Sequence, residues 1–190
     1  MVALPTVPKD TSVSTLFTEL MPKIMKEQLA NSKAPTELAS TEITNVIDIS
    51  GDLYSYTLKN GADVEFKKGD LSPAKLRVKI AKEDMEKMIK SGNLDMITGM
   101  TNGLNKSKYN AINTLKGSFV TELVNDDGSV TKIQVVMNGA TTPSSVFKMT
   151  TKDASALMRR ETNPVNLFMS GAMKIEGDMS FAMGTQPLFS

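Results

Sequence analysis

Seven flexible apolar side chains crowd one short stretch near the C-terminus: Phe168, Met169, Met173, Ile175, Met179, Phe181 and Met183. They stand beside glycine turns at Gly171 and Gly177. The chemistry open to such a group is noncovalent. Methionine and phenylalanine can wrap an apolar ligand of variable shape, or they can simply fill a core. A bound alkyl chain gains about 0.8 kcal/mol for each methylene it buries, so a long chain offsets the cost of binding without a strong polar contact.

Covalent and metal chemistry are poorly supplied. The 190 residues contain no cysteine and no histidine. That removes disulfides, thiolate nucleophiles, Ser-His-Asp systems, and the commonest metal ligand and neutral-pH base. Carboxylates, lysines and tyrosines remain, but Tyr54, Tyr56 and Tyr109 have no evident partner. An acid/base enzyme acting on a bound lipid would need a carboxylate or tyrosine facing the cavity. Asn125-Asp126-Asp127-Gly128 lacks the spaced ligands and final glutamate of a calcium loop and reads as a hairpin turn. No enzyme, cofactor or metal site is expected.

Charge narrows the partners. Lys+Arg is 22 and Asp+Glu is 21, a net charge of +1. This lacks the basic field on which nonspecific nucleic-acid binding relies, so nucleic acid is not an expected partner. The basic pairs Lys67-Lys68 and Arg159-Arg160 are short and read as solvated surface, or as contacts for anionic lipid heads. No apolar run reaches the ~20 residues of a membrane span, and no signal peptide is visible at the start, so a cytoplasmic protein is expected.

The elements that must position the apolar cluster follow from periodicity. Residues 1–11, with Pro5 and Pro8, read as a loose arm. Val13, Leu16, Phe17, Leu20, Met21, Ile24 and Met25 mark one helical face, which Pro22 should kink or split. Asn31 to Ser40 reads as a loop. Strands are expected at 43–50, 53–58, 63–66, 75–80, 118–124, 130–137 and 146–150. Helices are expected at 82–90, 106–115 and 152–160, the last capped by Thr151. Leu94 to Leu104 has no clear assignment. Ser170 to Met183 reads as a strand from Met173 to Glu176, a turn at Gly177, and a short helix that Asp178 could cap.

Two parts of the chain resemble each other. Pro73–Asn93 aligns without a gap on Pro143–Asn163, and Met96–Met100 echoes Phe168–Met173. Each unit reads hairpin, strand, short helix, then a Gly/Met segment. This predicts a domain over 12–190 built from two related halves, about 12–104 and 105–190, that share one extended sheet or form two small domains in contact.

The closing run Gly171-Ala-Met-Lys-Ile-Glu-Gly-Asp-Met-Ser-Phe-Ala-Met183 resembles the end of sterol carrier protein type 2 domains. The elements before it come in that family's order: Gly117-Ser-Phe-Val120, the turn at 125–128, the strand ending at Asn138-Gly139, Lys152-Asp153, and Asn163-Pro164. The resemblance covers residues 115–183 and, more weakly, 13–100. The family's usual tryptophan on the second strand is missing, with Ile133 or Gln134 nearby.

The resemblance implies an α+β fold, a mostly antiparallel sheet covered on one face by helices. It also implies a tunnel between sheet and helices that takes an apolar small molecule: a fatty acid, acyl-CoA, sterol or phospholipid. The expected function is lipid binding and transfer, with transient membrane contact and homodimerisation as further expectations. The alternative is an interaction or dimerisation module of the same fold with a filled cavity. The first half lacks the closing run after Met100, which places the expected ligand site in the C-terminal half.

Overall fold

The computed structural model describes residues 5–99 and 101–189. The first four residues of the expected arm, and Met100 of the Met96–Met100 echo, lie outside this range. Val7, in the remainder of that arm, is buried against the core.

The first apolar helical face forms without interruption but not with one helix type. A turn α1 (Val13–Thr15) runs through a π turn (Leu16–Leu20) into α2 (Met21–Ala30). The amide of Met21 bonds the carbonyl of Leu16, five residues back. Pro22 cannot donate and its ring crowds the preceding turn, so the wider π turn precedes it and the proline falls in the first turn of α2. Inside the expected 31–40 loop a short helix α3 (Ala34–Glu37) forms, with Pro35 in its first turn.

Four strands follow: β1 (Glu42–Ile49), β2 (Asp52–Lys59), β3 (Asp63–Lys68) and β4 (Leu76–Ile80). Asn60 and Gly61 both adopt positive φ, 56° and 63°, and Ala62 N–H reaches the carbonyl of Lys59. This is the tight turn that an Asn-Gly pair favours between antiparallel strands. Then come α4 (Lys82–Ser91), α5 (Asp95–Thr98) in the unassigned stretch, and α6 (Lys106–Thr114). Strands β5 (Gly117–Val124), β6 (Val130–Met137) and β7 (Ser144–Thr150) lead into α7 (Thr151–Met158). The cap of α7 is Thr150, not Thr151 as expected: its hydroxyl accepts from Asp153 N–H at 3.1 Å. Thr151 instead bonds Asn125 Oδ1 at 2.9 Å, tying the helix to the hairpin turn. The chain closes with α8 (Pro164–Met169), β8 (Lys174–Gly177), α9 (Met179–Gly184) and a 3-10 turn, Gln186–Phe189.

The strands form one sheet in the order β3-β2-β1-β4-β6-β5-β7-β8. The β1/β4 and β5/β7 pairs are parallel and the other five antiparallel. The same path occurs twice: a hairpin (β1–β2, β5–β6), then a strand parallel to the hairpin's first strand (β4, β7), then a helix. The two stretches meet where β4 pairs with β6, from Leu76 opposite Met137 to Ile80 opposite Ile133.

Alternation along the strands separates two faces. One rung of the inner face runs Ile49, Ile80, Ile133, Thr121, Phe147 and Ile175 through successive strand pairs. These apolar residues belong to the hydrophobic core or pack against it, with the buried faces of α2, α4 and α7. The other face carries charge. Glu122 pairs with Lys132 at 2.8 Å and with Lys148 at 3.8 Å, and Lys148 pairs with Glu176 at 2.8 Å. Helices therefore cover one side of a mostly antiparallel sheet, the α+β architecture expected.

Candidate functional site

The C-terminal apolar cluster is held by caps and turns that its own sequence supplies. Asn163 Oδ1 accepts from Asn166 N–H at 2.9 Å and starts α8, with Pro164 at its first position. Among the described residues β8 pairs only with β7, placing Ile175 opposite Phe147. Gly177 has φ 89°, and a Cβ there would lie 2.5 Å from the carbonyl oxygen of Ser144. Only glycine fits this sharp exit from the sheet. Asp178 Oδ1 then accepts from Phe181 N–H at 2.7 Å and caps α9, as its position predicts.

These pieces enclose a cavity of about 240 Å³ over β7 and β8. Five of the seven candidate ligand residues line it: Phe168, Met169, Met173, Ile175 and Met183. The other two do not. Phe181 is buried against the start of β5, where a Cβ on Gly117 would touch its ring at 2.6 Å. Met179 is exposed on α9. Phe181 stands one and two residues before Ala182 and Met183, spacings that do not share a helix face, while Met179 stands at the first position of α9 and stays outside the cavity wall.

The rest of the wall comes from elsewhere. Phe147 and Met149 project from β7, Leu157 from α7, Val165 from α8, and Phe189 from the final turn. The alternation of Val146 to Thr150 puts Phe147 and Met149 on one strand face, and that signal was available in the sequence. Nothing local marks Phe189. Its ring stands edge-on to Phe119 and Phe147, with centroids 5.9 and 6.2 Å away, closing a triangle with their own 5.6 Å contact. Thr185 and Gln186 are the polar residues on this wall. Thr185 turns its hydroxyl to the carbonyl of Ala182 at 2.7 Å.

The cavity's rim is exposed. Val165, Phe168, Met169 and Met183 line the space and also face solvent, Met169 at 78%. Large apolar side chains left in water beside a cavity mark a contact site rather than a sealed core.

A larger cleft of about 790 Å³ lies between α2 and the 102–105 segment. It is open, and Glu27, Gln28, Lys33 and Arg160 line it beside Pro5, Ile24 and Leu104, a mixed lining unlike the almost wholly apolar wall over β7 and β8. The basic pair Arg159-Arg160 is engaged locally. Arg159 Nε donates to Asp95 Oδ2 at 2.9 Å, and Arg160 donates to the carbonyl of Gly103. The Asp95 carboxylate holds the Arg159 pKa above its ordinary value. Tyr56 also has a partner the sequence hid: its hydroxyl donates to the carbonyl of Phe17, and burial pushes its pKa up. Among the described residues no acidic cluster could hold a metal ion, and no helix is long and apolar enough to cross a membrane.

Comparison with known proteins adds a family match over part of the chain. Residues 100–190 match the model of the SCP-2 sterol transfer family. The sterol carrier protein 2 of Yarrowia lipolytica, solved in its apo form, is 19% identical, with a TM-score of 0.35 over 42% of this chain and 76% of that one. Sterol carrier protein domain 2 of Helicoverpa armigera, solved in solution, is 23% identical, with a TM-score of 0.36 over 55% of this chain and 84% of that one. At such scores neither likeness carries weight of its own. No curated protein matches the chain significantly. The resemblance to sterol carrier protein type 2 domains thus stands on the family match of residues 100–190 to the SCP-2 sterol transfer family, which supports a lipid-binding or lipid-transfer role in general terms.

Proposed function

We propose that the chain holds a fatty acyl chain or similar apolar ligand in the cavity between β7–β8 and α8–α9, and passes it on without chemical change. The observation that carries this is the cavity itself: about 240 Å³, almost wholly apolar, and opening through Val165, Phe168, Met169 and Met183. Its volume lies below the ~300–1,000 Å³ of common drug-sized pockets, which favours a slender chain over a bulky ring system. No carboxylate or tyrosine lines it among the described residues. The exposed rim supplies the surface for transient contact with a membrane during uptake and release.

The test is direct titration of delipidated protein with a fluorescent fatty-acid analogue, displaced by unlabelled dodecanoic acid. Saturable binding at micromolar concentrations is expected. Phe168→Asp, an exposed rim change, should weaken it about tenfold by putting a charge at the mouth. No binding by the native chain, with no lipid in its organic extract, would overturn the proposal.

The exposure of Met169 also favours the alternative of a homodimer or partner surface. Concentration-dependent association without ligand uptake would select it.

A further inference from the structure

Lys108 on α6 is only 4% exposed. Its ammonium donates one hydrogen bond, 2.9 Å to the carbonyl of Asn102. An ammonium carries three donors. Among the described residues no carboxylate lies within ion-pair distance of it. Burial first, and then the charge of Arg160, push its pKa down to about 8. A buried cation without a counter-charge is costly, and proteins ordinarily pair one.

Lys108 lines a second cavity of about 90 Å³, whose other walls include Leu76, Ile112, Thr121 and Ile133. This second cavity lies over β4, β6 and β5. The first lies over β7 and β8, the next strands of the same sheet face. Phe189 lines both. From β4 to β8 there are four strand steps, roughly 19 Å at ~4.8 Å each. Of the two spaces the second is the smaller, which suits a compact carboxylate end better than a bulkier phosphodiester head.

We infer that the two cavities form one tract for a single-chain carboxylate amphiphile, with its carboxylate paired to Lys108 Nζ and its chain running past Phe189 to the rim between α8 and α9. This rests on the lipid-binding reading above and adds the head group, its partner and the direction of the chain. Phe189 must turn aside for the chain to pass, since it lines both cavities and its ring packs on the adjoining rings of Phe119 and Phe147.

The experiment compares dodecanoic acid with dodecanol on the delipidated full chain at pH 7 by calorimetry. The native protein should prefer the acid by about tenfold or more. Lys108→Met should bind dodecanol as the native chain does and lose the preference for the acid. A second readout needs no variant: carboxyl-labelled dodecanoic acid bound to the native protein should titrate below its free value by carbon NMR, because the ammonium favours the ionised form. Equal affinity for acid and alcohol, a preference that survives in Lys108→Met, or a bound carboxyl titrating above its free value would each overturn the head-group assignment and leave lipid binding standing. Failure of the native chain to bind either ligand would overturn both.

Discussion

Lys108 shows what one residue's environment does to its chemistry. In the sequence it is one of several lysines on a polar helix pattern. In the fold it is buried, with one carbonyl for a partner and a pKa of about 8. Its folded pKa lies below its unfolded value near 10.5, so the unfolded chain holds more protons between the two. Stability should therefore rise as pH rises through this window, by roughly 3 kcal/mol at most for this group, and its penalty is fully present below pH 8. Other lysines titrate nearby, so the difference between the ligand-free native chain and Lys108→Met isolates it. That difference should change in the native chain's favour from pH 8 to pH 10.5, measured by urea unfolding. A difference independent of pH would mean that Lys108 is not buried as a cation.

The same scale shows which candidate residues were legible. Phe168, Met169, Met173, Ile175 and Met183 could be picked out because apolar density beside glycine turns is a local property. Phe181 and Met179 belong to the same dense run but lie elsewhere: Phe181 packs against the start of β5 and Met179 faces solvent. Density alone does not give direction.

At the scale of elements, start and stop signals were readable wherever they act within a few residues. The Asn60-Gly61 turn, the Asp178 cap and the charged alternation of β4 all act locally. The joint between β8 and α9 gives two graded expectations. Asp178→Ala should cost about 1 kcal/mol through the lost cap. Gly177→Ala should cost more, about 1–3 kcal/mol, because its φ of 89° disfavours a side chain and the new Cβ meets Ser144 O. Chemical denaturation of both variants checks the order. An Asp178→Ala cost larger than that of Gly177→Ala would mean the cap, not the backbone, fixes this corner. The π turn before Pro22 was not readable. The sequence asked for a kink or split, and the choice of a wider turn depends on keeping Leu16, Phe17 and Met21 buried together.

For the whole molecule, the decisive contact is β4 against β6. It joins Leu76–Ile80 to Ile133–Met137 and makes one sheet of the two stretches. The core residues on both sides of this seam form one cluster. Urea unfolding should therefore be a single transition, with far-ultraviolet circular dichroism and tyrosine fluorescence coincident, since Tyr54 and Tyr56 report the first stretch. Two separated transitions would show that the two stretches fold independently. A sequence match between segments 70 residues apart suggests that they have similar local paths, but not how they meet.

The sequence by itself determined that this chain lacks thiol and imidazole chemistry, that it alternates strands with short helices, and that its flexible apolar residues concentrate near the C-terminus. Each of these follows from composition or from spacings of a few residues, where the physics is local. Only the tertiary structure decided that Phe147, Met149, Leu157 and Phe189 complete the cavity wall, that Phe181 does not, and that Lys108 stands buried beside a second space. Those outcomes depend on strand order and helix rotation, which bring together side chains far apart in the chain, and no short-range pattern encodes them.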